Sequence, residues 1–210
     1  MTSSSSAGVP DLRERRRLQT YASISDVAIE LFERSGVDGT TVEQIADAAG
    51  VSPRTFFRYF RTKEDAALTS YIAFADRITS WLENETGEDL VVSLESAIEQ
   101  AMEQIDADVQ VRERLLRVRR LLEREPALHS AAAQSDASSV AEFARRLMRK
   151  PHSSLSESEA LLISSLTVTI ATIAMQEWAA HVDAGGADST LAAAYARVRR
   201  SAHRHFGRAG

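Results

Sequence analysis

The chemistry available to this 210-residue chain lies in its cations rather than in nucleophiles or metal ligands. Between Val51 and Lys63 stand Arg54, Arg58, Arg61 and Lys63, with no acid among them. Such a run attracts polyanions, phosphate above all. A second basic cluster, Arg13, Arg15, Arg16 and Arg17, lies near the amino end, and Arg112 to Arg124 holds six arginines against two acids. The chain as a whole carries a net charge of −5, so it has no global positive field and any polyanion contact must be local. The stretch from Glu83 to Asp108, with nine acids and no base, reads as a solvated face complementing the arginines that follow it, some of which could instead meet an anionic ligand.

Most enzyme classes are excluded by the same inspection. There is no cysteine, which removes disulfides, thiolate metal sites and thiol nucleophiles and suits a reducing compartment. HExxH, GxSxG and glycine-rich phosphate loops are absent. The five histidines (129, 152, 181, 203 and 205) are scattered; His203 and His205 stand two apart, off the i,i+4 spacing of a helical metal pair. No catalytic residue, metal or cofactor is expected. The amino end lacks the apolar stretch of a signal peptide. The uncharged run Ala160 to Gln176 is too short and too rich in hydroxyls for a membrane span. A cytoplasmic protein without a membrane partner follows from this reading.

Helices must position these groups. The chain has 33 alanines against 9 glycines and 4 prolines, a composition that favours helix over tight turns. Residues 1–10 read as a disordered, serine-rich leader. Ile24, Val27, Ala28, Leu31 and Phe32 then recur at helical spacing from about Asp11 to Ser35, where Gly36 stops the helix. Thr40 or Thr41, each followed three residues later by Glu43 or Gln44, caps a short helix over Val42–Ala49. Ser52 and Pro53 open another. A longer helix begins after Thr62 and buries Leu68, Tyr71, Ile72, Ala75, Ile78 and Leu82. Beyond Gly87, five further helices follow, separated at Pro126, Pro151 and Gly185-Gly186; Ser156 to Glu159 forms a capping box. The fold class is all-α, with about nine helices and no strand. The expected division is residues 11–62 and residues 63–210.

Thr40 to Phe60 is the most informative segment. Two short helices meet at Gly50, which reaches positive φ without strain, while Ala46 lets them cross closely and Ile45, Val51, Phe56 and Tyr59 or Phe60 plug the space behind. This is a helix-turn-helix, whose second helix can enter a DNA major groove. Thr41-Val42-x-x-Ile45-Ala46-x-x-Ala49-Gly50-Val51-Ser52, with Thr55-x-x-x-Tyr59-Phe60-x-Thr62-Lys63-Glu64-Asp65, resembles the TetR/AcrR-type bacterial transcriptional regulators over about residues 20–70. That resemblance implies a homodimer that binds a double-stranded DNA operator, with a carboxy-terminal helical domain that takes a small-molecule effector. It puts Thr41, Tyr59 and Lys63 at phosphates, and Ser52, Pro53, Arg54 and Thr55 at the exposed start of the recognition helix. Arginine can pair with guanine O6 and N7, so Arg54 is expected to read a base, with a phosphate contact the main alternative. Three positions depart from the family pattern. Arg54 replaces a frequent small residue, Phe57 lacks the hydroxyl of a frequent tyrosine, and Arg58 stands where histidine is common and could replace the lost phosphate contact. Arg13, Arg16 and Arg17 could reach the minor groove or neighbouring phosphates, or simply form a solvated helix start.

Leu161 to Ala180 is apolar nearly all round, so both of its faces need cover. A four-helix dimer interface made with the last helix would supply it. In the arginine-rich segment, Arg112 and Arg119 fall beside the Leu115 stripe. Arg117-x-x-Arg120-Leu121-Leu122-x-x-x-Pro126-x-Leu128 resembles the mycofactocin-associated branch of the family, which implies an acyl-CoA-like effector. Arg112, Leu115, Arg119, Phe143, Met175 and Trp178 are the expected ligand residues. Repression is the family default; an activator, or a helical adaptor that binds no DNA, are the alternatives.

Overall fold

The computed structural model describes residues 12–85, 90–150, 153–186 and 189–206, so the serine-rich leader lies outside the described residues. Ten helices and no strand occur among them. They form two compact units, the first ending at Ala67 and the second beginning at Leu68.

The first unit contains α1 (Leu12–Ser35), α2 (Val42–Ala48), α3 (Pro53–Tyr59) and α4 (Lys63–Ala67). Its core joins Ile24, Ala28, Ile29 and Phe32 of α1 to Val37, Ile45, Ala46, Phe56 and Phe60. Ile29 is fully buried, whereas Val27 and Leu31 of the expected stripe are only half-buried. Thr41, rather than Thr40, caps α2: its side chain accepts the Gln44 N–H while the Gln44 side chain accepts the Thr41 N–H. Thr40 is buried and donates its hydroxyl to the Gly36 carbonyl at 2.8 Å. Gly50 has φ +66° at the turn, where the Val51 N–H reaches back to the Ala46 carbonyl at 2.9 Å. Gly39 is required by close approach, since a Cβ there would stand 2.3 Å from the Ser35 carbonyl oxygen.

The expected long helix after Thr62 is two. Leu68 leaves helical geometry between α4 and α5 (Thr69–Asn84), with φ −82° and ψ 12°, which accounts for ten helices instead of nine. Because α4 packs on α1, the first unit extends to Ala67 rather than stopping at residue 62.

The second unit comprises α5, α6 (Leu90–Ala107), α7 (Val109–Arg124), α8 (Pro126–Met148), α9 (Glu157–Asp183) and α10 (Leu191–Phe206). Helix α9 packs against α7, α8 and α10, while α6 joins α5, α7 and α10. Leu94, Ile98, Met102, Leu115, Val118, Leu128, Phe143, Leu147, Met175, Trp178 and Tyr195 form the core. One tie spans most of the unit: the Asp106 carboxylate accepts the Leu191 and Ala192 N–H groups at 2.8 and 2.9 Å, satisfying orphan donors at the start of α10. Three acids of the acidic stretch pair outside α7. Glu83 pairs with Arg146, Glu99 with Arg199, and Glu95 with His203. At 27 residues, α9 is longer than the apolar run suggested and is, by length and composition, long and apolar enough to cross a membrane. Ala160, Ser164, Ala171, Ala174, Met175, Trp178 and Ala179 are nevertheless buried in this unit.

Candidate nucleic-acid interface

Helix α3 is seven residues long and begins with Pro53 in its first turn, where no N–H is missed. Ser52 caps it by accepting the Thr55 N–H at 3.1 Å, and the Ser52 and Thr55 hydroxyl oxygens lie 3.0 Å apart. Phe56 and Phe60 turn inward, with their rings 5.6 Å apart, and Phe60 lies 4.8 Å from the Tyr21 ring of α1. Once these two rings fix the inner face, the helical period sends Pro53, Arg54, Phe57 and Arg58 outward, and all four are exposed. Thr55 and Tyr59 are half-buried at the edges of that face. The expected start of the recognition helix is therefore accessible, with the Thr55 hydroxyl engaged beside the cap.

The other expected contacts divide into exposed and internally engaged groups. Thr41 is exposed; its oxygen accepts from Gln44, which leaves the hydroxyl proton available to a phosphate. Arg58 donates to the Tyr59 hydroxyl at 3.3 Å, its guanidinium 5.1 Å from the ring centre, so the two form one cationic, hydroxylated edge. Lys63 is held from within: its Nζ donates to the Val37 and Thr40 carbonyls at 2.5 and 2.8 Å. One of its three N–H bonds remains for an anion. Arg13, Arg16 and Arg17 are exposed on the first turns of α1, where their i, i+3 and i+4 spacing gives them one face.

The expected ligand residues of the second unit are not brought together. Phe143 and Met175 line a cavity of about 60 Å³ between α5, α8 and α9, with Phe74, Ile78, Asp136 and Tyr71 among its other walls. Arg112 and Trp178 line a different cavity, of about 370 Å³, with Leu116 and Val182. Leu115 is core. Arg119 is 4% exposed, donates to the Tyr71 hydroxyl at 2.5 Å, and leaves its Nε without a partner. Burial pushes the Tyr71 hydroxyl up to about 12, against the opposing pull of the Arg119 charge. Desolvation also raises the Asp136 carboxyl above its usual range. The adjacent Arg120 is bound to Asp183, with Nε at 2.9 Å. Sequence reasoning missed Tyr71, Phe74 and Asp136 as cavity residues. Asp136 alone had a signal, as an isolated acid in a helix segment rich in alanine and serine. No group of His, Asp and Glu side chains able to hold a metal ion occurs among the described residues.

Residues 24–66 match the family model "Bacterial regulatory proteins, tetR family". The chain is 46% identical over 74 residues to HTH-type transcriptional regulator TcmR of Streptomyces glaucescens, which covers 35% of this chain and 33% of that one. It is 53% identical over 49 residues to the mycofactocin biosynthesis transcriptional regulator MftR of Mycobacterium tuberculosis, covering 23% and 25%. The chain thus matches only a third or less of the length of these relatives. Its fold is similar to that of NalD, the secondary repressor of the MexAB-OprM multidrug efflux pump in Pseudomonas aeruginosa, with TM-score 0.52 and 18% identity over 90% of this chain and 96% of that one.

Proposed function

Starting from a first unit of TetR type, we propose that this protein is a sequence-specific transcriptional regulator that binds duplex DNA as a homodimer, most simply a repressor released by a small-molecule effector. The observation that carries the reading is the α3 face, where Pro53, Arg54, Phe57 and Arg58 are exposed together while Phe56 and Phe60 anchor the helix. An exposed, acid-free cationic helix on a rigid base is what a major groove accepts. Arg54 reads a guanine; Thr41, Arg58, Tyr59 and Lys63 hold phosphates; Arg13, Arg16 and Arg17 add sequence-independent attraction. A protein acting on chromosomal DNA works in the cytoplasm, and nothing in the reading requires an enzyme activity.

The dimer reading is supported by α9. Leu162, Leu166 and Ile173 are exposed by 60%, 37% and 39% on one stripe with Thr169 and Gln176, apolar surface that a second copy would cover. The effector reading is supported by the cavity between α5, α8 and α9, whose apolar walls end at the Tyr71 hydroxyl and Asp136. An acyl-CoA-like ligand would lay its tail there. The α7 arginines form no common phosphate seat for its head, since Arg119 is enclosed and Arg120 is tied to Asp183. A compact, mainly apolar effector suits the cavity better. Thermal-shift titration with acyl-CoAs of graded length separates the two: stabilisation by none of them, at concentrations far above micromolar, removes the acyl-CoA reading.

The central claim is tested by selecting duplexes from a random pool with the full chain and comparing it with Arg54→Ala. The variant should lose roughly 1–3 kcal/mol of preference at a single base position. Equal weakening on every duplex would show that Arg54 does not read a base, and no enrichment of any sequence would overturn the function.

A further inference from the structure

The α3 face carries an unusual side chain for a surface meant to meet a polyanion. Phe57 is 57% exposed, with no charge or hydroxyl to offer a phosphate. It is not loose: its ring stands edge-on to the fully buried Phe56 ring, 5.5 Å between centres at 86°. Exposing a phenyl ring costs hydrophobic free energy in the free protein. It shares the outward face with Pro53, Arg54 and Arg58. In the major groove of B-DNA the one apolar feature is the thymine 5-methyl group, and phenyl contact with it is one of the few ways a side chain distinguishes thymine without a hydrogen bond.

We propose that Phe57 is a specificity-determining residue that recognises the 5-methyl group of a thymine, next to the base read by Arg54, once in each half of the operator. The inference rests on the DNA-binding reading above and adds to it a named base feature. The face then combines a bidentate polar reader with an apolar one, so the preferred half-site holds a guanine and a thymine at fixed separation. Tyrosine at this position would keep the ring and add a hydroxyl; phenylalanine keeps only the methyl contact.

Replacement of thymine by deoxyuridine tests this directly, because it deletes the methyl group and leaves every hydrogen-bonding edge in place. With the full chain and its best selected duplex, one thymine per half-site should weaken binding roughly three- to tenfold when converted to uracil. Phe57→Ala should bind the thymine and uracil duplexes equally, near the weakened level. Phe57→Tyr, which keeps the ring, should retain the penalty and guards against a folding defect in the alanine variant. The proposal is overturned if no uracil substitution affects the wild-type protein, or if Phe57→Ala keeps the full penalty. Those results leave duplex binding intact. Failure of the underlying reading looks different, with no sequence enriched and no duplex bound even at low salt, and it would remove both claims.

Discussion

Lys63→Met separates two roles that the family resemblance and the geometry assign to one side chain. The ammonium donates to the Val37 and Thr40 carbonyls from a half-buried position, tying the start of α4 to the α1–α2 connection 23 and 26 residues earlier. Val37 O also accepts the Thr40 N–H at 3.2 Å, so it keeps a partner in the variant, whereas Thr40 O loses the Lys63 donor. A hydrogen bond from a charged donor contributes about 1.5–3 kcal/mol, and partial exposure places this site at the lower end. The loss should total about 2–3 kcal/mol. In a unit of this size each kcal/mol moves the midpoint by roughly 4–8 °C, so calorimetry should show the transition of the first unit falling by about 10 °C or more. The remaining N–H should be seen independently in DNA binding, where the slope of log K against log salt would shrink by about 0.9 per protomer, roughly 1.8 for the homodimer, if that proton meets one phosphate in each half-site. Lys63→Arg keeps the charge but not the geometry of two converging bonds, and should restore the slope more than the midpoint. An unchanged midpoint in Lys63→Met, with binding weakened, would refute the claim that the clamp stabilises the unit.

Further consequences follow from other sites. Gly39→Ala should destabilise the first unit more than Gly50→Ala: the first drives a Cβ into backbone at 2.3 Å, whereas the second meets open space and bears only the strain of φ +66°, roughly 1–2 kcal/mol; urea midpoints give the order. Tyr71 has its folded-state pKa raised from 10.0 to about 12, so its contribution, of order 2 kcal/mol, is complete below pH 10 and is lost between pH 10 and 12 as the unfolded chain ionises first. Tyr71→Phe should flatten the stability profile in that window while lowering stability at neutral pH, because the buried Arg119 guanidinium loses the hydroxyl to which it donates. Introducing charge on the exposed α9 stripe, as in Leu162→Glu with Ile173→Glu, should give monomers by ultracentrifugation with helicity unchanged; a persistent dimer would place the interface elsewhere.

The sequence made the first three helices legible because their signals are local. Thr41 with Gln44, Ser52 with Pro53, and Gly50 each fix a boundary through bonds or torsions spanning a few residues. The break at Leu68 gave no such sign. Residues 63–82 hold neither glycine nor proline and keep an unbroken apolar period, and the split arises because Ala66 and Ala67 are recruited to the core beside α1 while residues from Leu68 onward join the second unit. The cavity was half legible for a related reason. Helical phase identifies which residues face inward, and Phe143, Met175 and Trp178 all do. Which of two internal spaces each one meets depends on how α7, α8 and α9 cross, and crossing is set by contacts between residues far apart in the chain.

A helix of seven residues is too short to hold itself together in water, and this governs how the α3 face can change. Its order must come from the Ser52 cap, the fixed φ of Pro53, and the burial of Phe56 and Phe60; none of these depends on Arg54, Phe57 or Arg58. Substitutions at Arg54 and Phe57 should therefore alter which duplex is preferred, and at Arg58 should weaken binding to all duplexes alike, each with little effect on stability, while Phe56→Ala should remove duplex binding together with the fold of the first unit, at a cost of about 3–5 kcal/mol. Thermal midpoints and duplex selection measured on the same variants test that separation. Loss of stability in Arg54→Ala comparable to that in Phe56→Ala would mean that the outward face is also holding the helix, and the division between an anchoring side and a reading side would fail.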